Sequence, residues 1–299
     1  MYLLLGDSED LCLRGVRDAL RERGYPARVV ASPMSAPARL SWWLDTEQSE
    51  SVLSLDGEPP IRGDQLDGVF VLGTAPLDAA GWETDDLAYV QAETQAALLG
   101  WLWSLPCPVV NRYPPAIWLR PQAPLLSWHG LLQRSGLPTL ETVVTSVELE
   151  ARAFGEQLAS DGVGGAVYGP LTSEVRYLVA SERDWTGLAA LQQLTPVSLT
   201  APHGETRTAC VVGRRVVWDG RPSEELASLE PALCELGRAS GLALVEVSLA
   251  STPGALCVIA VGTRPRLERF GADAREEIVA GIVEVLTAPV GQLAAGAHS

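Results

Sequence analysis

Short apolar runs alternate with helical segments over the first 112 residues, and this alternation constrains the fold more than any other feature. The apolar runs have the length and composition of buried parallel strands, and they lie at 2–5, 27–31, 68–73 and 108–111. An amphipathic helix is predicted from Leu11 to Arg23, with a glycine stop at Gly24, and a long helix at 85–105. Strands separated by helices predict an open α/β sheet.

The pattern changes after a proline-rich crossing at 112–124, which is a predicted domain boundary. Thr145 is expected to cap the second of the later helices, with Glu148 in the capping-box position. Gly213-Arg214 predicts a hairpin, and a peripheral hairpin is expected within 41–64. Helices are predicted at 125–134, 146–159, 229–240 and 273–286, and strands at 141–144, 165–168, 175–179, 207–212, 215–218, 242–249 and 255–261.

The charge balance excludes some partners. With 22 basic and 37 acidic side chains the formal net charge is −15. Nucleic acid and anionic membranes both require a dense basic patch, so neither is expected as a partner. The longest apolar stretch, near Ala96 to Leu105, is interrupted by Gly100 and is shorter than the ~20 residues of a membrane span.

All 22 basic residues are arginine, so the chain contains no lysine. This excludes lysine Schiff-base chemistry, attachment of pyridoxal phosphate and a phosphate-loop lysine. Arginine does not replace a compact, titratable ammonium at a tight catalytic site, so the absence has chemical meaning.

Cysteine and histidine give no sign of a metal site. The cysteines occur singly, without the short paired spacing of a zinc site, and are interpreted as buried, inert thiols. They are Cys12, Cys107, Cys210, Cys234 and Cys257. The histidines, His129, His203 and His298, are too scattered for a metal set. An odd number of cysteines without a disulfide framework favours a cytoplasmic location.

Five segments follow one another in a distinctive order over the last two-thirds of the chain. They are Pro108-Val-Val-Asn111, Leu131-Leu-Gln-Arg-Ser-Gly-Leu-Pro-Thr-Leu-Glu-Thr142, Ala166-Val-Tyr-Gly-Pro-Leu171, Glu205-Thr-Arg-Thr-Ala-Cys-Val-Val-Gly213, and Gly241 to Leu249 continued by Thr252-Pro-Gly254 and Val258 to Pro265. Their order and spacing resemble the ATP-grasp superfamily, in particular its amino-acid and peptide ligases. The resemblance implies a mixed α/β fold with a leading open α/β domain (1–112), a small lid lobe (113–195) and a larger antiparallel-sheet lobe (196–299).

The chain departs from that family where active members bind ATP and magnesium. Such members hold ATP with two lysines, and here the resemblance places those positions at Leu125 and Gly169. They bind magnesium with an Asp and a Glu-x-Asn group, and these positions fall on Ser248, Ala260 and Gly262. Magnesium requires hard oxygen ligands. The resemblance therefore implies a degenerate member without cofactor, and ATP with magnesium is the alternative.

Two further observations concern the nucleotide site. The hinge at 198–200 offers neither Glu nor Gln to an adenine. A shift of two residues would bring Glu246 to the metal position of Ser248, but one carboxylate is a poor magnesium site.

Four basic residues are candidate ligand-binding groups. Arg207 matches an arginine that family members place near phosphates or substrate, and the resemblance places Arg176, His203 and Arg264 along the same cleft. Three interpretations stay open: solvated loop charges, an arginine cleft that binds a carboxylate or phosphate, and a remnant of a lost function.

Tryptophan gives a separate signal. Trp101 and Trp103 lie two apart on a predicted helix and must face different sides, while Trp42-Trp43 and Trp128 fall in loop or short-helix segments. Core packing is one explanation, and an exposed aromatic patch for a partner is the other.

Three hypotheses follow. The first is a non-catalytic protein of this fold that binds a peptide, a small anion or a partner ligase, within peptide modification. The second is an active carboxylate-amine or peptide ligase with an atypical nucleotide site. The third is a homodimeric scaffold with the Trp-bearing leading domain at the contact.

Overall fold

The structure, a computed structural model, describes residues 1–34, 36–46, 49–74, 80–113, 125–162, 164–170, 176–252 and 255–289. The elements of the leading part are β1 (Tyr2–Leu5), α1 (Leu11–Glu22), β2 (Ala27–Val30), β3 (Ala38–Leu44), β4 (Ser49–Leu55), β5 (Ile61–Arg62), β6 (Gly68–Val71), α2 (Thr84–Ser104) and β7 (Val109–Val110). The middle part contains α3 (Leu125–Arg134), β8 (Thr142–Thr145), α4 (Glu148–Ser160), β9 (Ala166–Tyr168), β10 (Tyr177–Val179), α5 (Glu182–Gln192) and β11 (Val197–Thr200). The last part contains β12 (Thr206–Val212), β13 (Arg215–Trp218), α6 (Glu224–Ala227), α7 (Glu230–Ser240), β14 (Leu244–Thr252), β15 (Ala255–Gly262) and α8 (Ala272–Thr287). Single turns of 3₁₀ helix lie at Gly63–Gln65 and Leu267–Arg269.

The leading sheet has the order β2-β1-β6-β7, and all of its strands are parallel. Its central strands are buried along their whole length because helices cover a parallel sheet on both faces. The Asp10 carboxylate caps α1 by accepting hydrogen bonds from the backbone N–H groups of Cys12 (2.8 Å) and Leu13 (3.2 Å). The predicted open α/β sheet is confirmed.

The peripheral hairpin is a three-stranded antiparallel sheet of order β3-β4-β5. It lies against α2, where an added Cβ at Gly100 would meet the Trp42 ring at 2.9 Å. The buried Trp101 indole donates to Ser51 Oγ at 3.0 Å, and Trp128 is buried too. By contrast Trp43 and Trp103 are more than half exposed. The prediction that Trp101 and Trp103 face different sides is confirmed.

The middle part forms an antiparallel sheet of order β10-β9-β11-β8, with α4 and α5 packed on it. Its core is separate and small, with Phe154, Leu158, Leu188 and Leu199 among its members. The last part forms an antiparallel sheet of order β13-β12-β14-β15. Gly213 connects β12 and β13 with a positive φ of 59°, as the predicted hairpin requires.

Helix α8 joins the leading and last parts into one packed unit. It contacts α1, β6 and β7 on the leading side and β12 and β13 on the other. The backbone of α8 lies close to both neighbours. A Cβ added to Gly15 of α1 would meet Val279 of α8 at 2.9 Å, and one added to Gly281 of α8 would meet Val212 of β12 at 3.0 Å. Buried Asn111, at the end of β7, reinforces the connection with hydrogen bonds to both backbone groups of Leu244. The division of the chain at 112 and 195 stays a prediction.

Several local predictions need correction. Thr145 is not the cap of α4: the capping position is Val147, and the Thr145 hydroxyl instead donates to Glu150 at 2.6 Å and accepts from the Val147 N–H. Helix α5 and strand β11 were not expected from the sequence. Most of the proline-rich crossing, and Pro253-Gly254 of the fifth segment that resembles the family, lie outside the described residues.

No helix within the described parts of the chain has both the length and the apolar character that crossing a membrane requires.

Candidate functional site

A cleft separates the sheet of the middle part from that of the last part, and it consists of two connected cavities. The inner cavity has a volume of about 60 Å³, and the outer one of about 480 Å³. Both are lined by Arg176, His203 and Ile259, so they belong to one cleft. The inner cavity also contacts Leu125 and Gly169, and the outer one contacts Ser248 and Ala260. The structure therefore brings together four of the five positions that the resemblance assigns to ATP and magnesium.

Gly169 lies directly beneath an arginine. A Cβ added to Gly169 would meet Arg176 Nη1 at 2.8 Å and Cζ at 3.0 Å. The guanidinium thus occupies the space into which a side chain at this position would extend. Arg176 precedes β10, which pairs antiparallel with β9, and this pairing returns the chain to Gly169. An arginine from a neighbouring segment therefore places a positive charge at the position assigned to the second lysine.

The three positions assigned to magnesium ligands lie on the adjacent strands β14 and β15. Ser248 pairs with Ala260, and Glu246 pairs with Gly262. The Ser248 hydroxyl is buried and lies 3.5 Å from Nη1 of Arg269, which acts as the donor. A hydroxyl, a methyl group and a glycine supply no carboxylate to a cation here.

A buried carboxylate, Glu246, lies two residues before Ser248 on β14, and an arginine already binds it. Its side chain is 1% exposed and accepts hydrogen bonds from Arg266 N at 2.6 Å and Arg266 Nε at 2.9 Å. Arg266 Nη2 lies 2.8 Å and Arg269 Nη1 3.7 Å from Glu246 Oε1. Both arginines come from the segment after β15, which folds back over β14. Burial of this carboxylate is offset by charge-assisted hydrogen bonds.

This donor set does not fit magnesium. The ion needs several hard oxygen ligands in nearly octahedral geometry, whereas the described carboxylates here, Asp219 and Glu246, are each bound by an arginine. Nowhere in the residues that the structure describes do three or more His, Cys, Asp or Glu side chains form a group that could hold a metal ion.

The other candidate residues lie in different places. Arg207 is beside the cleft: its Nε donates to Asp219 at 2.8 Å, and Asp219 itself lines the outer cavity. Arg264 lies at the leading part, where its Nη2 donates to Asp10 at 2.7 Å. His203 is exposed at the mouth of both cavities. Whether these residues bind a ligand stays a prediction.

Sequence reasoning missed Arg266 and Arg269, the two arginines that contact Glu246. Both line the outer cavity, together with Thr206 and Thr208 of β12. Their only signal in the sequence is an Arg-Pro-Arg-Leu-Glu-Arg run (264–269) after a predicted strand, and such a run is equally typical of a solvated turn.

Comparisons with known proteins give the fold. Neither a protein-family model nor a curated protein matches the chain. Among solved structures, macrocyclase MdnC of Microcystis aeruginosa, bound with precursor peptide MdnA, is similar with a TM-score of 0.75 and 15% identity over 96% of this chain and 99% of that chain. A RiPP-associated ATP-grasp ligase of Chryseobacterium gregarium, in complex with ADP and a leader and core peptide, is similar with a TM-score of 0.73 and 15% identity, covering 96% of this chain and 97% of that chain. A RimK domain ATP-grasp protein of Sphaerobacter thermophilus has a TM-score of 0.59 and 17% identity, over 96% of this chain and 100% of that chain.

The protein therefore has the fold of the ATP-grasp ligases over almost its whole length, and the expected fold class is confirmed. Fold alone does not define an activity, which has to be argued from the residues of the cleft.

Proposed function

We propose that this protein is a non-catalytic member of the ATP-grasp fold that binds a peptide in a peptide-modification system. The observation that carries the proposal is the Glu246–Arg266–Arg269 network at the position assigned to magnesium. Transfer of a phosphoryl group from ATP relies on metal ions that bridge the phosphates and neutralise the developing charge. A site whose described carboxylates are already bound by arginines is poorly suited to those ions.

The fold neighbours support a peptide as the partner. MdnC is bound with a precursor peptide, and the Chryseobacterium gregarium ligase is in complex with a leader and a core peptide. A protein that keeps the ligase scaffold and lacks the metal site could present such a peptide to an active ATP-grasp ligase. That partner ligase, a small anion and a second copy of the chain remain the other partners to be tested.

The test combines turnover with binding. Purified protein is incubated with magnesium and ATP, with and without short peptides encoded beside its gene, and ADP and phosphate are measured. Fluorescence anisotropy follows binding of the labelled peptides, and any neighbouring ATP-grasp ligase serves as the positive control for turnover. We expect peptide binding without ATP consumption. Formation of ADP that increases with peptide concentration would overturn the proposal.

One observation favours the second candidate, an ATP-dependent ligase with an atypical nucleotide site. Arg176 holds a positive charge against Gly169, where the fold family uses a lysine. An arginine there could contact a phosphate without a lysine. This candidate requires saturable binding of magnesium-ATP, and an Arg176→Gln variant should weaken that binding; absence of binding at millimolar nucleotide eliminates it.

A further inference from the structure

The outer cavity is rich in arginine in an acidic protein. Among the described lining residues, three are arginines (Arg176, Arg266 and Arg269) and one is a carboxylate, Asp219. Arg207 binds Asp219, and Arg266 binds the buried Glu246. The whole chain has a net charge of −15, so this concentration of arginine is local to the cleft.

Arg269 is the guanidinium best placed to take a ligand. Its two recorded contacts within the described chain are long, 3.5 Å to the Ser248 hydroxyl and 3.7 Å to Glu246. Its side chain is 40% exposed, and the residue lines the outer cavity. Arg266, in contrast, is fixed by short hydrogen bonds to Glu246. Arg266 is therefore fixed in the cavity wall by Glu246, and Arg269 is the arginine that can contact a ligand.

We propose that the outer cavity is a magnesium-independent site for a phosphoryl oxyanion, with Arg269 and Arg176 as its binding groups. The inference rests on the proposed non-catalytic function, since it takes the arginines to replace the metal ions rather than to support them. Guanidinium groups bind phosphate oxygens through paired N–H donors and need no bridging cation. The ring N–H of His203 at the cavity mouth would add a further donor.

The sizes of the two cavities place a ligand in the outer one. Ligand sites commonly measure roughly 300–1,000 Å³. The outer cavity, at about 480 Å³, lies in this range, and the inner cavity, at about 60 Å³, lies far below it. The arginines line the outer cavity, so a phosphoryl group can bind there without a base in the inner one.

Isothermal titration with three probes tests the site. Inorganic phosphate, pyrophosphate and ADP are titrated into the full-length protein, once with EDTA and once with excess magnesium. We expect pyrophosphate to bind in EDTA, more tightly than phosphate because it carries more charge, and more weakly in magnesium because the metal neutralises the ligand. Binding of ADP tighter than pyrophosphate would assign the phosphoryl group to a nucleotide, and equal or weaker binding would assign it to a free phosphate.

Three variants locate the site. Arg269→Gln should weaken pyrophosphate binding about tenfold, the effect of one charge-assisted hydrogen bond. Arg238→Gln is the matched control, because Arg238 is an exposed arginine of α7 paired with Glu235, and it should bind like the wild type. Glu246→Gln removes the carboxylate that neutralises Arg266 and should strengthen binding, a gain that a purely structural role cannot produce.

The outcomes separate the two proposals. No binding of any probe at millimolar concentration in EDTA, or unchanged affinity in Arg269→Gln, would overturn the anion site and leave the peptide-binding function in place. Binding of a probe that requires magnesium would overturn both the anion site and the non-catalytic function, because both take the site to work without the metal.

Discussion

Replacing Glu246 with alanine tests whether the arginine network is a structural element of the last sheet. The carboxylate is 1% exposed and receives hydrogen bonds from Arg266 at 2.6 and 2.9 Å. Removing one partner of a buried ion pair typically costs about 3–5 kcal/mol. Arg266 is 27% exposed and can recover some hydration, so we expect a loss of about 3 kcal/mol. For large domains each kcal/mol lowers Tm by roughly 2–4 °C, so the expected shift is about 6–12 °C.

Differential scanning calorimetry measures this shift, and Glu235→Ala is the matched control. Glu235 accepts hydrogen bonds of 2.6 and 2.7 Å from Arg238, so the contacts have similar geometry but lie on the exposed surface of α7. Because exposed ion pairs contribute little, Tm of this control should stay close to that of the wild type. The reasoning is refuted if the two variants lose the same stability. It also fails if Glu246→Ala and Arg266→Ala are additive, since coupled partners must show an interaction energy in the double variant.

Two further predictions concern packing and thiols. Gly155→Ala would bring a Cβ to 2.5 Å from the Trp185 ring and should destabilise the protein by about 1–3 kcal/mol. In the control Gly187→Ala the added methyl group meets open space, and the change should stabilise α5 by up to about 1 kcal/mol. Thermal unfolding measures both variants. Equal effects would contradict the close contact between Gly155 and the Trp185 ring. Burial raises the pKa of Cys107 to about 11, so this thiol stays protonated at pH 8 and should become reactive only as the pH approaches that value. Mass spectrometry after alkylation of native protein at pH 8 should find the half-buried Cys234 modified first, and equal labelling of Cys107 would refute this.

The parts of the fold that depend on local hydrophobic pattern could be predicted from the sequence. β1 and α3 have the expected bounds, and the parallel sheet follows from strands that are apolar along their whole length. The predicted end of the helix at Ser240 is confirmed for α7, and Gly241 follows it with a φ of 70°, a conformation that glycine adopts without strain. In these segments local propensity and tertiary packing favour the same structure.

Elements with weak or competing signals were missed. β11 has four residues, directly after a proline, and it is held by β8 and β9 on its two sides rather than by its own pattern. α5 contains Gly187, which lowers helix propensity, although Ser181 and Asp184 form the capping box that would have revealed it. The expected capping box at Thr145 failed for a local reason, because Glu150 in the first turn of α4 accepts a hydrogen bond from the hydroxyl that the box requires.

The cleft shows why position-by-position comparison finds losses more easily than replacements. The sequence alone shows that lysine is absent and that the assigned metal positions are Ser248 and Ala260, which carry no carboxylate. It does not show which residues lie beside those positions in the folded chain. The arginines near these positions belong to other segments. Arg176 directly precedes β10, the strand partner of β9, and Arg269 lies in the 3₁₀ turn after β15. In both places a guanidinium lies close to a position that the resemblance assigns to a cation, the first to a lysine and the second to metal. Two arginines near these positions are what the proposed metal-free anion site requires, so Arg269→Gln and Arg176→Gln should each weaken binding of pyrophosphate in EDTA.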